Sequence, residues 1–222
     1  YTGYIFLTAA MNEKVNKHNR PYVVLEGHVD CELTEEDSEV EAEAFVCLYS
    51  GALTYHNGLD ILVEGFLMAD LPGARLDLYG SGDFVPKLKQ ICRQNKKIRY
   101  FGTCLNDDVV RAQRKASLLI NPRPTSEEFT RYSFPSKNLE YMVSGTPVLT
   151  TRLAGIPEEY EPYVYFLEKE SCSGMAEKLL ELYQTDRIEL REKGRAARRF
   201  VLKNKNNKMQ AFRAIKALMR EG

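Results

Sequence analysis

Residues 117–151 read SLLINPRPTSEEFTRYSFPSKNLEYMVSGTPVLTT, and the order of patterns within this stretch decides the fold class. Short apolar runs at Ser117–Ile120 and Pro147–Thr150 are typical of buried strands. Between them, apolar positions at helical spacing predict a helix over Ser136–Ser144, and Gly145 is typical of the residue that ends one. A strand, a helix and a second strand in this order favour a parallel pair, because parallel strands need a crossover connection.

The alternation of strand and helix continues on both sides of this stretch. Further strands are predicted at Phe45–Tyr49, Arg75–Tyr79, Lys97–Phe101 and Tyr163–Phe166. Further helices are predicted near 59–67, 83–94, 107–115 and 174–183. The pattern predicts an α/β fold, a Rossmann-like, doubly wound parallel sheet of about six strands with helices on both faces. Such sheets bind ligands outside the carboxyl ends of their strands, so we expect the functional residues in the loops that follow the strands.

Composition excludes several classes of protein. Hydrophobic residues make up 44% and charged residues 28% of the 222 positions, as in ordinary globular proteins. No apolar run reaches the roughly 18 residues that predict a membrane span. The five cysteines are scattered without a CxxC or Cys/His cluster, so we expect no disulfide framework and no zinc site, and a reducing cytoplasm fits best. The net charge is zero, and nucleic-acid binding is not expected because the chain as a whole is not basic.

The charges are unevenly distributed along the chain. Positions 21–74 contain no Lys or Arg, and acidic residues crowd positions 26–43. Bases outnumber acids from 186 to 221, where two basic helical stretches are predicted. We interpret these helices either as a solvated surface or as a peripheral contact with the anionic inner face of a membrane.

The start of the helix over Ser136–Ser144 carries the strongest chemical signal. Pro135 suits the first helical position, and Ser136, Lys137 and Glu140 fall within one helical sector. A cation in the first turn opposes the helix dipole, whereas a bound diphosphate would be stabilised there by free N–H groups, the dipole and the ammonium. The alternative that stays open is that Lys137 points into solvent.

Other polar groups complete this candidate site. Arg123 and Arg131, in the loop before the helix, are expected to add positive charge beside the diphosphate. Glu140 lies one turn into the helix, where its carboxylate can accept hydrogen bonds from two vicinal hydroxyls, as of a ribose. The alternative for Glu140 is an i, i+3 ion pair with Lys137.

Glycines follow three of the predicted strands. They are Gly51, Gly80, Gly82 and Gly102. Glycine lets a backbone approach a ligand closely, although an ordinary turn is an equally good reading of each position. No GxGxxG follows the first strand, so a plain Rossmann dehydrogenase is not expected.

Five segments, in their order and spacing, resemble those of a known family. They are LYSGALTYHNGLDILVEGF (48–66), LDLYGSGD (76–83), IRYFGT (98–103), SFPSKNLEYMVSGTPVLTT (133–151) and LAGIPEE (153–159). The set resembles the C-terminal, donor-binding domain of the GT-B fold in family 4-like retaining glycosyltransferases of the bacterial polysaccharide type. The resemblance implies a hexosyltransferase that moves a hexose with retention from a UDP- or GDP-linked sugar to an acceptor hydroxyl. It implies polysaccharide or glycolipid synthesis, with no metal or other cofactor required.

The resemblance also implies roles for single residues. Glu140 is expected to bind the ribose. The residues expected around the donor sugar and diphosphate are Gly51, Arg123, Arg131, Phe134, Pro135, Ser136 and Lys137. The loops expected on the side of the base contain Gly80, Gly82, Phe101 and Gly102.

The sequence departs from the family pattern at three positions. Tyr132 stands where the family has the first Glu of its Glu–seven residues–Glu motif. Ala52 and Asn57 stand near the positions of the Arg and Lys that usually bind the diphosphate from the first loop. We therefore expect the binding of the diphosphate to depend mainly on Lys137 and its helix.

By the same resemblance, residues 1–20 are the tail of an N-terminal acceptor domain and 21–44 are an interdomain strand with an acidic linker. Residues 45–200 are the nucleotide-sugar-binding domain, and 201–222 form a terminal helix that crosses back towards the N-terminal domain. The sequence begins with Tyr rather than Met, so we expect a longer protein, and we expect this part alone to catalyse no transfer. The implied partners are a nucleotide sugar and a saccharide or lipid-linked acceptor. Two rival functions stay open, a GT-B-type nucleotide-sugar epimerase and a degenerate, non-catalytic scaffold subunit.

Overall fold

The computed structural model describes residues 2–30 and 44–219. The first elements are β1 (Tyr4–Phe6), α1 (Ala9–Val15) and β2 (Tyr22–Val24), and the two strands form a short parallel pair. A strand is therefore present within 21–44, where a strand and an acidic linker were predicted. Most of that linker, residues 31–43, lies outside the described residues.

The main sheet has six strands, and all of its pairings are parallel. The strands are β3 (Val46–Ala52), β4 (Arg75–Ser81), β5 (Ile98–Gly102), β6 (Leu118–Asn121), β7 (Val148–Thr151) and β8 (Tyr165–Leu167). Their spatial order is β5-β4-β3-β6-β7-β8. The predicted α/β fold with a Rossmann-like parallel sheet is confirmed. The strand order reverses between β3 and β6, and open parallel sheets bind ligands at such a reversal.

Helices connect the strands and cover both faces of the sheet. They are α2 (Leu59–Ala69), α3 (Val85–Gln94), α4 (Asn106–Lys115), α5 (Ser136–Ser144), α6 (Cys172–Gln184), α7 (Arg187–Asn204) and α8 (Asn207–Leu218). Three 3-10 turns lie at Tyr55–Asn57, Glu128–Tyr132 and Glu158–Tyr163. The predicted elements are present, with ends shifted by a few residues. β3 is longer than predicted because Gly51 and Ala52 continue the pairing with Gly80 and Ser81 of β4.

The alternation of side chains along the strands builds one apolar layer on each face of the sheet. In β3, Cys47 and Tyr49 belong to the layer under α2 and α6, whereas Leu48 belongs to the layer under α5 and α7. Tyr141 of α5 is buried in the second layer, and its hydroxyl accepts a hydrogen bond from Ser50 N at 2.9 Å. The packing of α5 therefore holds the start of this helix beside the carboxyl end of β3.

A buried ion pair fixes the segment after β2 to the C-terminal helices. Lys205 is 1% exposed and donates to Glu26 and, at 2.6 Å, to Glu159. The hydroxyl of Tyr160 donates to the same Glu26 carboxylate at 2.8 Å. Helix α8 packs against β2, while the division of the chain into domains stays a prediction. Within residues 2–30 and 44–219, no helix has the length and apolarity needed to cross a membrane.

Candidate functional site

An open cleft of about 240 Å³ lies at the carboxyl ends of β3 and β4, beside α5. The residues that line it are Ser50, Gly51, Tyr79, Gly80, Thr103, Cys104, Asn106, Val109, Lys137 and Glu140. The lining therefore combines the ends of two neighbouring strands, the start of α4 and the polar face of α5. This is the edge of the sheet at which parallel α/β proteins bind ligands.

Lys137 lies in the first turn of α5 and extends into this cleft. Its ammonium donates to the carbonyl of Ser50 and lies 4.9 Å from the ring centroid of Tyr49. Burial lowers the pKa of Lys137, the nearby Glu140 raises it, and Arg123 lowers it further. The alternative that Lys137 points into bulk solvent is therefore wrong.

The backbone at the end of β3 is shaped to admit this lysine. Gly51 has φ of 139°, a conformation that side chains disfavour, and a Cβ at this position would collide with the Lys137 ammonium. Gly80, its partner in β4, has φ of 125°, and a Cβ there would collide with the Gly51 carbonyl. The two glycines thus bring the strand ends together and leave room for a cation.

A second cation, Arg123, acts electrostatically on Lys137 but is not among the residues that line the cleft. Arg123 follows β6, and its guanidinium carbon lies 4.5 Å from the ring centroid of Phe129. Burial lowers the pKa of Arg123, and its Nε is buried without a hydrogen-bond partner among the described residues. Because the charge of Arg123 also lowers the pKa of Lys137, the site holds two like charges within electrostatic reach of each other. A bound anion would relieve this repulsion.

Glu140 presents its carboxylate at the rim of the cleft. Its Oε1 accepts a hydrogen bond of 2.5 Å from Gln113 Nε2. The alternative ion pair with Lys137 does not occur among the described ion pairs, although the two charges attract each other. Among the described residues, no hydrogen bond or ion pair to the second oxygen, Oε2, is seen.

The side of the cleft expected to receive a base is partly aromatic. Tyr79 and Phe101 stack with ring centroids 4.6 Å apart and an interplanar angle of 4°, and Phe101 is 45% exposed. Gly80 lines the cleft, and Gly82 packs against the backbone of Leu53. A Cβ added at Gly102 would meet no other atom within 4 Å. Of the four residues expected near the base, Gly80 is therefore the one in the cleft wall, and Phe101 contacts the wall through Tyr79.

The remaining predicted residues occupy the loop before α5. Phe134 is 6% exposed, with its ring 5.4 Å from that of Tyr160, so its side chain packs in the core. Pro135 is the N-cap of α5, one residue before the predicted position, and the exposed Ser136 begins the helix. The side chain of Arg131 is exposed on the preceding 3-10 turn and does not line the cleft.

Residues 44–185 match the family described as glycosyl transferases group 1. The chain belongs to this family. No curated protein matches the sequence at a significant level.

Solved structures with a similar fold agree with the family. GtfA, the pneumococcal O-GlcNAc transferase solved with UDP and GlcNAc, has a TM-score of 0.73 and 20% identity, covering 99% of this chain and 46% of its own. Sucrose-phosphate synthase from Thermosynechococcus elongatus has a TM-score of 0.77 and 17% identity, covering 99% of this chain and 58% of its own. HepE from Anabaena, solved with UDP, has a TM-score of 0.78 and 15% identity, covering 98% of this chain and 64% of its own.

The TM-scores show a shared fold, and the predicted likeness to a C-terminal GT-B domain is confirmed. The chain spans 46% to 64% of the length of the three structures.

Sequence reasoning missed the polar groups that hold this cleft together. Gln113 of α4 is 1% exposed and donates to both Glu140 and, at 3.0 Å, Ser50 Oγ. Tyr141 hydrogen-bonds to the backbone of Ser50, and Tyr49 OH donates to the Ala52 carbonyl at 2.9 Å. A glutamine in a polar helix and two tyrosines in apolar stretches carry no sequence signal of such contacts, since the partners lie far away in the chain.

The described residues contain no group of three or more His, Cys, Asp and Glu side chains arranged to hold a metal ion.

Proposed function

We propose that this chain is the nucleotide-sugar-binding domain of a retaining glycosyltransferase that moves a hexose from a UDP- or GDP-linked sugar to an acceptor hydroxyl. The observation that carries the proposal is the placement of Lys137. A half-buried ammonium lies at a helix start, beside a second cation, in a cleft at the reversal of the strand order. Each of these features favours an anionic ligand.

The diphosphate binds by replacing the carbonyl that Lys137 now contacts. Ser50 O also accepts a hydrogen bond from Tyr141 OH at 3.2 Å, so it keeps a partner when the ammonium turns to a phosphate. The N–H groups at the start of α5 add donors, and the charge of Arg123 adds a longer-range attraction for the diphosphate. Donors arranged in advance stabilise the charge that develops on a departing diphosphate, and this arrangement does so without a metal.

The ribose and the base continue along the cleft. Glu140 accepts hydrogen bonds from the ribose hydroxyls with its free oxygen, and the base lies towards Thr103, Cys104 and Asn106. The UDP complexes of GtfA and HepE support a donor of this class, because those proteins share the fold.

The acceptor, a saccharide or a lipid-linked sugar, binds to an N-terminal domain of which residues 1–20 are the tail. The basic helices α7 and α8 are proposed to contact the anionic inner face of a membrane. We place the reaction in polysaccharide or glycolipid synthesis in the cytoplasm.

A non-catalytic scaffold is a second candidate, and one observation favours it. Tyr132 occupies the position of the first motif acid, and the ammonium of Lys14 lies 4.1 Å from its ring centroid. A scaffold of this kind would have no use for the nucleotide cleft and would bind no nucleotide.

A thermal-shift panel of UDP, GDP and their sugars on the full chain tests the proposal. Binding to the native state raises its stability by mass action, by about 2.7 kcal/mol at a ligand concentration of 100 Kd. We expect one nucleotide series to raise Tm. Stabilisation by none of them would contradict a donor site and favour the scaffold, whereas epimerised donor without an acceptor would indicate an epimerase.

A further inference from the structure

The side chain of Gln113 contacts two residues of the cleft lining, Ser50 and Glu140, without lining the cleft itself, and the proposed function gives it no role. It is 1% exposed, on α4, and its amide nitrogen donates to Glu140 Oε1 at 2.5 Å and to Ser50 Oγ at 3.0 Å. Both N–H groups of one amide are therefore used. They connect α5, which supplies the cleft carboxylate, to the end of β3.

The helix end that carries Gln113 is also held in place by its neighbours. The hydroxyl of Thr146 donates to the backbone carbonyl of Gln113 at 2.8 Å, which fixes the end of α4 against the turn after α5. Ser50 Oγ lies 3.4 Å from Tyr141 OH, and both groups are buried. A buried, satisfied network of this kind is rigid, because a change at one member leaves another without a partner.

We propose that Gln113 is the positioning residue that orients Glu140 for the ribose hydroxyls, an inference that rests on the proposed function. A solvent-facing glutamate samples several rotamers, and a ligand that needs one of them must order the side chain. The amide of Gln113 holds Oε1, and Glu140 lines the cleft, so Oε2 is the oxygen that we assign to the ribose hydroxyls. Because the amide is neutral, it orients the carboxylate without neutralising its charge, so the carboxylate remains a strong acceptor.

The same amide joins the two halves of the nucleotide site. Gln113 binds the side chain of Ser50, and the carbonyl of Ser50 receives the ammonium of Lys137. Glu140 is thus connected to Ser50 through Gln113, and Lys137 contacts Ser50 directly, so both depend on one residue at the end of β3. Loss of the amide is expected to act first on the ribose, since Ser50 keeps the hydrogen bonds of Tyr141.

The test compares Gln113→Met with a matched control, Gln210→Met. Gln210 is also a buried glutamine, 4% exposed, with Nε2 donating to the Gly27 carbonyl at 2.7 Å, and it lies outside the cleft lining. Calorimetric titration of the full chain uses UDP and GDP, each paired with its 2′,3′-dideoxy analogue. The readout is the ratio of the two dissociation constants, which a merely structural defect does not change.

We expect the wild type to bind the nucleotide roughly tenfold or more tightly than its dideoxy analogue, the effect of a hydrogen bond to a charged group. Gln113→Met should bring this ratio close to one, while Gln210→Met leaves it unchanged. In a Glu140→Ala background, Gln113→Met should weaken nucleotide binding no further, because coupled residues are not additive. If Gln113→Met does not fold, Gln113→Asn is used instead. Its side chain is one carbon shorter, so its amide cannot reach Glu140, and it should bring the ratio equally close to one.

An equal weakening of both ligands by Gln113→Met, or a ratio that survives it, overturns the positioning role and leaves the proposed function intact. If the wild type binds neither UDP nor GDP, the positioning role and the proposed function are both overturned.

Discussion

Replacing Lys137 by Met removes the ammonium from the cleft and keeps most of the volume of the side chain. In the ligand-free protein, Ser50 O retains the hydrogen bond from Tyr141 OH at 3.2 Å, so no buried carbonyl loses its last partner. Burial lowers the pKa of Lys137, which means that the charged form of Lys137 destabilises the folded state. This destabilisation is fully present below the lowered pKa and disappears as pH rises towards the ordinary value of 10.5. We therefore expect the Tm of the ligand-free variant at neutral pH to equal or exceed that of the wild type.

The effect on nucleotide binding should be opposite and large. A hydrogen bond to a charged group contributes about 1.5–3 kcal/mol, which corresponds to a loss of roughly 10- to 150-fold in Kd. At nucleotide equal to 100 wild-type Kd, the wild type gains about 2.7 kcal/mol, or about 5–11 °C in Tm for a protein of this size. A variant that binds about 30-fold more weakly gains about 0.9 kcal/mol, or about 2–4 °C, under the same conditions.

The assay is thermal unfolding with and without UDP and GDP, and Lys193→Met is the matched control. Lys193 is also half-buried, with a pKa lowered by burial and its ammonium 4.6 Å from the Tyr165 ring centroid, but it lies outside the cleft lining. The control should keep the full nucleotide shift. A Lys137→Met variant that keeps the wild-type shift would refute the reasoning, as would an equal loss in the control.

Three further predictions follow from the same contacts. Gly51→Ala should weaken nucleotide binding at least as much as Lys137→Met and should also lower stability by about 1–3 kcal/mol, because the new methyl meets the ammonium at a disfavoured φ; a wild-type affinity in titration would contradict this. The ratio of wild-type to Lys137→Met affinity should fall towards one as pH rises through the lowered pKa of Lys137, since the neutral amine no longer attracts phosphate, and a ratio constant up to pH 10.5 would exclude the ammonium as the ligand. Glu26→Gln should destabilise the protein by about 1.5–3 kcal/mol in urea unfolding, because the buried Lys205 loses one of its two charged partners and keeps Glu159, whereas Glu161→Gln in an exposed pair should cost less than about 1 kcal/mol.

The fold was predictable because its signals are local. The apolar runs located each strand, and the glycine at 145 marked the end of α5, where it adopts φ of 79°. The end of β3 was placed too early, because the extra pairing depends on two glycines meeting across neighbouring strands, Gly51 and Gly80. A pattern read along one segment contains no information about its partner strand.

The site was predictable only in part. Lys137 and Glu140 were identified because helical spacing places them on one face and the helix start gives a reason for the charge. Phe134 was assigned to the donor from its position in a motif, whereas packing against Tyr160 decides where its side chain lies. Gln113 was missed because its role arises where α4 meets α5, 27 residues apart along the chain.

A crystal structure of the full chain with bound UDP or GDP tests the central claim most directly. The account predicts that the Lys137 ammonium leaves the Ser50 carbonyl and lies about 2.7–2.9 Å from a phosphate oxygen, with the ribose hydroxyls on Glu140. A nucleotide bound elsewhere, or a Lys137 still on Ser50 O with the diphosphate out of reach, would contradict it.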